Sequence, residues 1–91
     1  MITSFRSKAL KLFAATGNAS KLPVQNPDRV ARILQLLNAA TTPEGMNIAG
    51  FGFHGLQGEP KRYAVKASAN YRVTFGWDVA DAVAVDLEDY H

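Results

Sequence analysis

The chain has 91 residues, of which 47% are hydrophobic and 20% charged, and it contains no cysteine. A domain of this size buries only about 60–65% of its unfolded surface, so the length predicts a single domain over residues 1–91. The absence of cysteine excludes a disulfide framework, a thiolate zinc site, an iron–sulfur cluster and a cysteine nucleophile. Basic side chains recur through the first twelve residues without a long apolar stretch. We therefore expect no signal peptide, no membrane span and a cytoplasmic location.

The charge is distributed unevenly along the chain. All ten Lys and Arg residues lie within residues 1–77 together with three acids, a net charge of +7, whereas residues 78–91 carry five acids and no Lys or Arg. A basic body with an acidic end favours a polyanionic partner such as nucleic acid. Uneven charge is also common in small soluble domains, so a pattern that serves only solubility stays open at this point.

A short strand and a short helix are the first predicted elements. Residues 2–6 alternate apolar and polar side chains, which indicates a strand. Residues 8–15 place their apolar side chains on one side of a helix that ends at Gly17 and Asn18.

A second helix is predicted from Pro27 to about Ala40. Asn26 is a favourable N-cap, proline suits the first helical position, and Asp28 suits the positive end of the helix dipole. Apolar residues at i, i+3, i+4 and i+7 form one stripe on this helix: Val30, Ile33, Leu34 and Leu37.

After residue 50 the apolar residues recur at every second position, which predicts β-strands. Four strands are predicted, at residues 51–54, 62–67, 71–77 and 82–87. Their short connections are typical of an antiparallel meander with one covered and one open face. The predicted fold class is therefore α+β, with a short N-terminal strand and two helices on one face of a mainly antiparallel sheet of four or five strands.

The alternation also predicts which side chains lie on the open face. If the aromatic and β-branched residues pack on the helices, then His54, Arg62, Lys66 and Arg72 project from the opposite side. Small residues leave room there for a ligand: Gly52, Ala64, Thr74, Gly76, Ala82 and Ala84. This predicts a basic face that binds a polyanion, and the alternative is a solvated face whose charges only confer solubility.

Two histidines are the candidates for proton transfer near neutral pH. His54 lies on a predicted strand, where a lone histidine is more often structural than catalytic. His91 follows Asp89 and Tyr90 and would bring imidazole, carboxylate and phenol together at the edge of the basic face, unless this end is frayed. The histidines lack metal-ligand spacing, and the chain has neither a phosphate loop nor a nucleophile elbow, so we expect no metal and no cofactor.

Four segments carry a resemblance to a known family: residues 1–11, residues 46–58, residues 69–75 with Asn-Tyr-Arg-Val-Thr-Phe, and residues 86–91, Asp-Leu-Glu-Asp-Tyr-His. Together they resemble the HigB toxins of the RelE superfamily, in the same order and over nearly the whole chain. The last two segments are quite specific when they occur jointly. The resemblance implies a RelE-like fold with an open basic face.

The resemblance also implies an activity and partners. The chain would be the toxin of a type II toxin–antitoxin system, a ribosome-dependent and metal-independent mRNA endonuclease. It would cut mRNA in the A site of the 70S ribosome by attack of a ribose 2′-OH on the adjacent phosphate. A HigA-like helix-turn-helix antitoxin would cover part of the basic face or a neighbouring helix groove, and operator DNA would be contacted only through that antitoxin.

Catalytic roles follow from the same resemblance. Arg72 would stabilise the charge of the transition state, and His54 would bind or protonate near the scissile phosphate. The remaining acid–base and substrate-orienting residues would be Asp89, Tyr90 and His91.

One position departs from the family pattern, which usually reads His-Pro-Leu-Lys-Gly where residues 54–58 read His-Gly-Leu-Gln-Gly. Lysine would supply a positive charge near the phosphate, whereas Gln57 supplies only hydrogen bonds. We expect Gln57 to contact the RNA phosphates together with Lys61, Arg62 and Lys66, one of which would replace the missing charge. Two alternatives stay open: a weakened or non-cleaving module that binds the ribosome or an antitoxin–DNA complex, and a structural subunit of a DNA-binding complex.

Overall fold

A computed structural model describes residues 1–90. It contains helices α1 (Lys8–Thr16) and α2 (Pro27–Ala39), a 3₁₀ helix (Pro43–Met46), and strands β1 (His54–Leu56), β2 (Arg62–Lys66), β3 (Tyr71–Asp78) and β4 (Asp81–Asp89). The strands form one antiparallel sheet in the order β1-β2-β3-β4. The predicted α+β class and the antiparallel meander are confirmed.

Helix α1 begins and ends on local signals. The Ser7 side-chain oxygen accepts a hydrogen bond from the Leu10 N–H at 3.1 Å, which satisfies one of the free donors of the first turn. Gly17 ends the helix in a left-handed conformation, φ 77°, and its N–H donates to the Phe13 carbonyl. The helix predicted over residues 8–15 is therefore confirmed.

Helix α2 supplies the larger apolar stripe. All four predicted stripe residues are buried: Val30, Ile33, Leu34 and Leu37. Asn26 stands at the N-cap as predicted, although its side chain makes no capping hydrogen bond. Pro27 at the first position and Asp28 in the first turn still favour the start of the helix here.

The helices and one face of the sheet enclose a single core. Val65, Val73 and Phe75 are fully buried in the same cluster as the stripe of α2 and Leu10 of α1. Aromatic rings continue this layer across the sheet, since Tyr63 stacks on Phe75 with ring centroids 5.7 Å apart. The two helices therefore cover this face of the sheet.

The predicted opening strand is reduced to two bridges. Ile2 and Phe5 pair with Ala82 and Val85 of β4 as isolated parallel bridges, so residues 2–6 follow the edge of β4 without forming a continuous strand. The two bridges lie on either side of Ala84, where β4 is irregular.

A β-bulge interrupts the pairing of β3 with β4. Thr74 pairs with Asp86 and Gly76 pairs with Val83, so a single residue of β3 faces two residues of β4. Ala84 lies at the bulge with φ 49°, and its N–H donates to the Ser4 side-chain oxygen at 2.8 Å.

The bulge changes which side chains of β4 face the core. Val83 was predicted to point inward and Ala82 outward, but Ala82 is fully buried in the core and Val83 lies opposite Gly76 on the other face. That prediction is wrong because one extra residue reverses the alternation along the strand.

The first sheet strand is also displaced from its predicted position. Residues 51–54 were predicted to be extended, whereas β1 covers His54–Leu56. Gly50 and Gly52 have φ of 88° and 61°, which bends the chain and turns Phe51 into the core. The Phe51 carbonyl still accepts a hydrogen bond from the Lys66 N–H at 2.8 Å, which holds this segment beside β2.

Candidate functional site

The face of the sheet opposite the helices, called the open face below, carries most of the candidate residues. The pairing aligns His54, Ala64, Thr74 and Asp86 in one row across all four strands, and Lys66, Arg72 and Glu88 in the next row. Residues that are directly paired share a face, and residues two apart along a strand share it too. The predicted placement of His54, Arg62, Lys66 and Arg72 on one face therefore agrees with the observed register.

His54 lies at the β1 edge of the open face and is exposed. Its Nδ1 is 3.0 Å from the Gly52 carbonyl oxygen, and because a carbonyl only accepts, Nδ1 must carry the hydrogen. The Nε2 atom is then left to exchange a proton with a ligand. With strands about 4.8 Å apart, the His54 backbone is roughly 10 Å from that of Thr74.

Arg72 lies on β3 next to the C-terminal end of β4. Its Cζ is 5.4 Å from the centroid of the Tyr90 ring, a cation–π contact. Its Nε is buried and has no hydrogen-bond partner among residues 1–90. A buried guanidinium N–H without a partner is costly, so the fold gains no hydrogen bond from this nitrogen.

The chain end beside Arg72 is held in the sheet at Tyr90. The Tyr90 N–H donates to the Asn70 carbonyl at 3.0 Å, so the ladder between β3 and β4 continues beyond Asp89. Asp89 pairs with Tyr71 and so takes the helix-facing side of the sheet, opposite the side of Arg72. His91 lies outside the described residues.

Arg62, proposed from the sequence as a phosphate ligand, is used within the sheet. Its Nη2 donates to the Thr74 hydroxyl at 3.0 Å and to the carbonyl of Ala84 at the bulge at 2.9 Å. Burial lowers the pKa of the Arg62 guanidinium and nearby Arg6 lowers it further, while Glu88 and Asp86 raise it. The side chain thus closes the sheet at the bulge instead of projecting toward a ligand.

The room predicted on the open face is largely filled by this arrangement. A Cβ added at Gly76 would lie 3.2 Å from Cγ2 of Val83 and 3.7 Å from Nη1 of Arg62. Ala64 and Thr74 are fully buried although they lie on the open face. The side chains of Arg62 and Val83 therefore fill the space beside these small residues. The accessible part of the open face lies toward Lys66, Arg72 and Tyr90.

Thr74 and Glu88 were missed by the sequence reasoning. The Thr74 hydroxyl donates a hydrogen bond to Oε2 of Glu88 and accepts one from Arg62, so three polar side chains form a chain across β2, β3 and β4. A polar residue at an open-face position of a strand was the available signal, but it gives no indication of its partner.

The other predicted phosphate ligands separate into two groups. Lys66 is exposed and lies directly opposite Arg72, on the open face. The Lys61 Nζ is 3.3 Å from the Leu56 carbonyl and 5.7 Å from the centroid of the Tyr63 ring, so it belongs to the helix-facing side at the β1 edge. Gln57 is exposed in the turn after β1.

The pairing of β4 also places two acidic side chains on the open face. Asp86 lies opposite Thr74 and Glu88 lies opposite Arg72. The separation of charge along the sequence is therefore not a separation in space, because Arg72 of β3 lies beside Glu88 of β4.

The family is decided by comparison with known proteins. A family model described as the RelE-like toxin of type II toxin–antitoxin system HigB matches residues 3–91. The chain belongs to this family. Its open face and meander are thus those of a RelE-like toxin, as the resemblance of the motifs implied.

A curated relative extends the comparison to the full length. The toxin is 37% identical over 92 residues to the protein named Endoribonuclease HigB from Proteus vulgaris, and the match covers 100% of both chains. Because the family is that of type II systems, the toxin has a cognate antitoxin as its partner.

A groove on the other side of the toxin is a second surface of interest. It has a volume of about 850 Å³ and lies between the N-terminal segment, α1 and α2. Its lining is mainly apolar and includes Phe5, Phe13 and Leu34, and Lys11 is its one charged side chain among the described residues. No acidic residue occurs before Asp28 in the sequence.

Residues 1–90 contain neither a membrane-spanning helix nor a cluster of metal ligands. Neither helix there has the length and apolar character needed to cross a membrane. No cluster of three or more His, Asp or Glu side chains suited to a metal ion was found in the same part of the chain.

Proposed function

We propose that the toxin is an endoribonuclease that cleaves translated mRNA in the ribosomal A site, using the 2′-OH next to the scissile phosphate as nucleophile. The observation that carries the proposal is the grouping of Arg72, Tyr90 and Lys66 on one side of the sheet, with the buried Nε of Arg72 lacking a partner. The printed name of the Proteus vulgaris relative supports the same activity.

The reaction requires a base, an acid and a cation. The 2′-oxygen attacks phosphorus as its proton passes to a base, the bond from phosphorus to the 5′-oxygen breaks, and that oxygen takes up a proton. A 2′,3′-cyclic phosphate and a 5′-hydroxyl result. No step requires a metal ion, and metal independence is part of the proposal.

Arg72 supplies the cation in this scheme. Its guanidinium donates to the nonbridging phosphate oxygens and offsets the negative charge that grows in the transition state. The Tyr90 ring lies against the guanidinium and limits where it can move. Lys66, opposite Arg72, holds a neighbouring phosphate by charge.

Proton transfer is assigned to the histidines with the C-terminal residues. His54 bonds Gly52 through Nδ1 and presents Nε2, which suits binding or protonation near the scissile phosphate. His91 and the Tyr90 hydroxyl complete the acid–base set, and Asp89 orients the chain end from the other side of the sheet. Gln57 contacts RNA at the rim as a hydrogen-bonding residue.

The test uses purified toxin, 70S ribosomes and a defined mRNA. We expect cuts within the translated frame only when ribosomes are present, with cyclic phosphate at the new 3′ ends. Toxin passed over a chelating resin should keep this activity when Mg²⁺ for the ribosome is the one divalent cation added. Intact mRNA at high concentrations of folded toxin would reject the activity.

A HigA-like helix-turn-helix antitoxin is the proposed partner, and it would carry all contacts to operator DNA. The apolar groove, with Lys11 as the one charged residue of its described lining, suits an amphipathic segment of that protein that carries an acid opposite Lys11. Ala31 is an exposed residue in the lining of this groove. The Ala31→Glu variant should be neutralised less well by the antitoxin, and its cleavage of mRNA should be unchanged. Full neutralisation of this variant would move the interface to the open face.

A non-cleaving module that binds the ribosome is the second candidate, and Gln57 is the observation that favours it. If the missing lysine charge abolishes cleavage, the wild-type toxin occupies the A site without cutting. Comparing mRNA cleavage by the wild-type toxin with cleavage by Gln57→Lys separates these two functions.

A further inference from the structure

Glu88 lies directly opposite Arg72 across β3 and β4, yet the two side chains form no ion pair. Opposed residues in an antiparallel pair have Cβ atoms about 4.5–5.5 Å apart, which is within reach of a carboxylate and a guanidinium. Among residues 1–90, no nitrogen of Arg72 lies within 4.0 Å of the Glu88 carboxylate. The Nε of Arg72 is buried and unpartnered while an acid stands opposite.

The carboxylate is instead held by Thr74. The fully buried Thr74 hydroxyl donates to Oε2 of Glu88, and it accepts from Nη2 of Arg62. Arg62 is in turn fixed by its bond to the Ala84 carbonyl, which the bulge turns toward the open face. Each group in this chain has a defined donor or acceptor role, so the carboxylate is directed away from Arg72.

We propose that Thr74 is a positioning residue that holds Glu88 away from Arg72 and so keeps the Arg72 cation available for RNA phosphate. The inference rests on the proposed function, in which Arg72 contacts the scissile phosphate. A carboxylate paired with Arg72 would neutralise its charge and occupy the donors that the phosphate needs. RNA would then have to displace an intramolecular anion before binding.

Four variants test this role: Thr74→Val, Thr74→Ser, Glu88→Gln and the double variant Thr74→Val/Glu88→Gln. Thr74→Val removes the hydroxyl and releases the carboxylate, so kcat/KM for ribosomal cleavage should fall roughly tenfold, a common size of coupling between neighbouring groups. The loss should lie mainly in KM, because the released acid competes with phosphate. Thr74→Ser keeps the hydroxyl and should keep the activity.

The double variant separates positioning from structure. Glu88→Gln removes the competing charge, so adding it to Thr74→Val should restore kcat/KM to within about threefold of the Glu88→Gln single variant. If Thr74 were only structural, the loss would persist in the double variant. Persistence of the loss, or wild-type kcat/KM in folded Thr74→Val, would overturn the proposal.

If Thr74→Val does not fold, side-chain nitrogen NMR of the wild type and of Glu88→Gln tests the proposal instead. Side-chain nitrogen resonances of Arg72 should be nearly the same in wild type and in Glu88→Gln, while those of Arg62 change. A large change at Arg72 would mean that the acid already pairs with it, and the inference would be wrong. Absence of cleavage by wild-type toxin would reject the proposed function instead, so the two failures are distinguishable.

Discussion

Two arginines on the same face of the sheet have opposite environments. Arg62, beside the bulge, donates to both Thr74 and the Ala84 carbonyl, whereas the buried Nε of Arg72, beside the end of β4, has no partner among the described residues. Both are half-buried and both alternate onto the open face. The acceptors near an arginine, and not its charge or its face, therefore decide whether it stabilises the fold or is left for a ligand.

The bulge is the origin of the difference. It turns the Ala84 carbonyl out of the ladder, where a guanidinium can reach it, and burial then lowers the pKa of Arg62. At Arg72 the register of β3 with β4 is regular, and Glu88, which lies opposite, is bonded to Thr74. The open face therefore has a structural half at Arg62 and, in the proposed function, a phosphate-binding half at Arg72.

The largest expected effect is on the phosphate-binding half. Arg72→Ala should lower the rate of mRNA cleavage on ribosomes by about 10²–10³-fold, the usual cost of removing one transition-state donor. The free energy of unfolding should fall by no more than about 1 kcal/mol, because the lost Nε had no hydrogen bond and only the cation–π contact with Tyr90 is removed. Cleavage rates and urea unfolding measure both quantities, and a cleaving or strongly destabilised Arg72→Ala contradicts the assignment.

The matched variant on the structural half should lose stability and keep its cleavage activity. Arg62→Ala removes two charge-assisted hydrogen bonds, so the free energy of unfolding should fall by about 2 kcal/mol. Cleavage per folded molecule should stay within about threefold of wild type, since the Thr74 bond to Glu88 remains. Loss of cleavage without loss of stability would place Arg62 among the RNA ligands.

The sequence predicted the scaffold better than the roles of the side chains. Period-two alternation placed His54, Arg62, Lys66 and Arg72 on one face, and the stripe of α2 was confirmed in full. Alternation fails at an inserted residue, however, and nothing in the sequence of β4 marks Ala84 as the bulge. The roles of Arg62, Val83 and Glu88 all depend on that one residue.

The candidate site shows the same limit. The motifs brought Arg72 and Tyr90 into one set, and the structure places them in contact. Asp89 was grouped with them through the resemblance, and Lys61 as a replacement for the charge missing at Gln57. Register and side-chain direction put both toward the other side of the sheet. Pairing partners across strands are nonlocal, so the sequence alone does not give them.

A smaller effect is expected from restoring charge at the rim of the open face. Gln57→Lys adds a cation in an exposed turn and should raise the cleavage rate by roughly tenfold, less than a buried donor would give because solvent screens it. Gln57→Met, which keeps the length of the side chain and carries no charge, is the control. An unchanged rate in Gln57→Lys would mean that this turn does not approach the phosphate, while activity appearing only in this variant would identify the wild type as a binding module.

The smallest effect tests the bulge. Ala84→Gly removes the cost of a left-handed conformation at φ 49° and should raise the free energy of unfolding by about 1 kcal/mol. Cleavage should be unchanged, because the carbonyl that Arg62 uses is retained. A lower melting temperature in thermal unfolding would show that the Ala84 side chain contributes packing that outweighs its backbone strain.

The division of the open face is tested most directly by observing both guanidinium groups at once. Side-chain nitrogen NMR of Arg62 and Arg72 can be followed while a short RNA with a 2′-deoxy group at the reacting position, which prevents cleavage, is added. The Arg72 side-chain resonances should shift as a phosphate group approaches the guanidinium, and those of Arg62 should stay in place. A shift at Arg62 with Arg72 unchanged would contradict the assignment of Arg72 as the phosphate ligand.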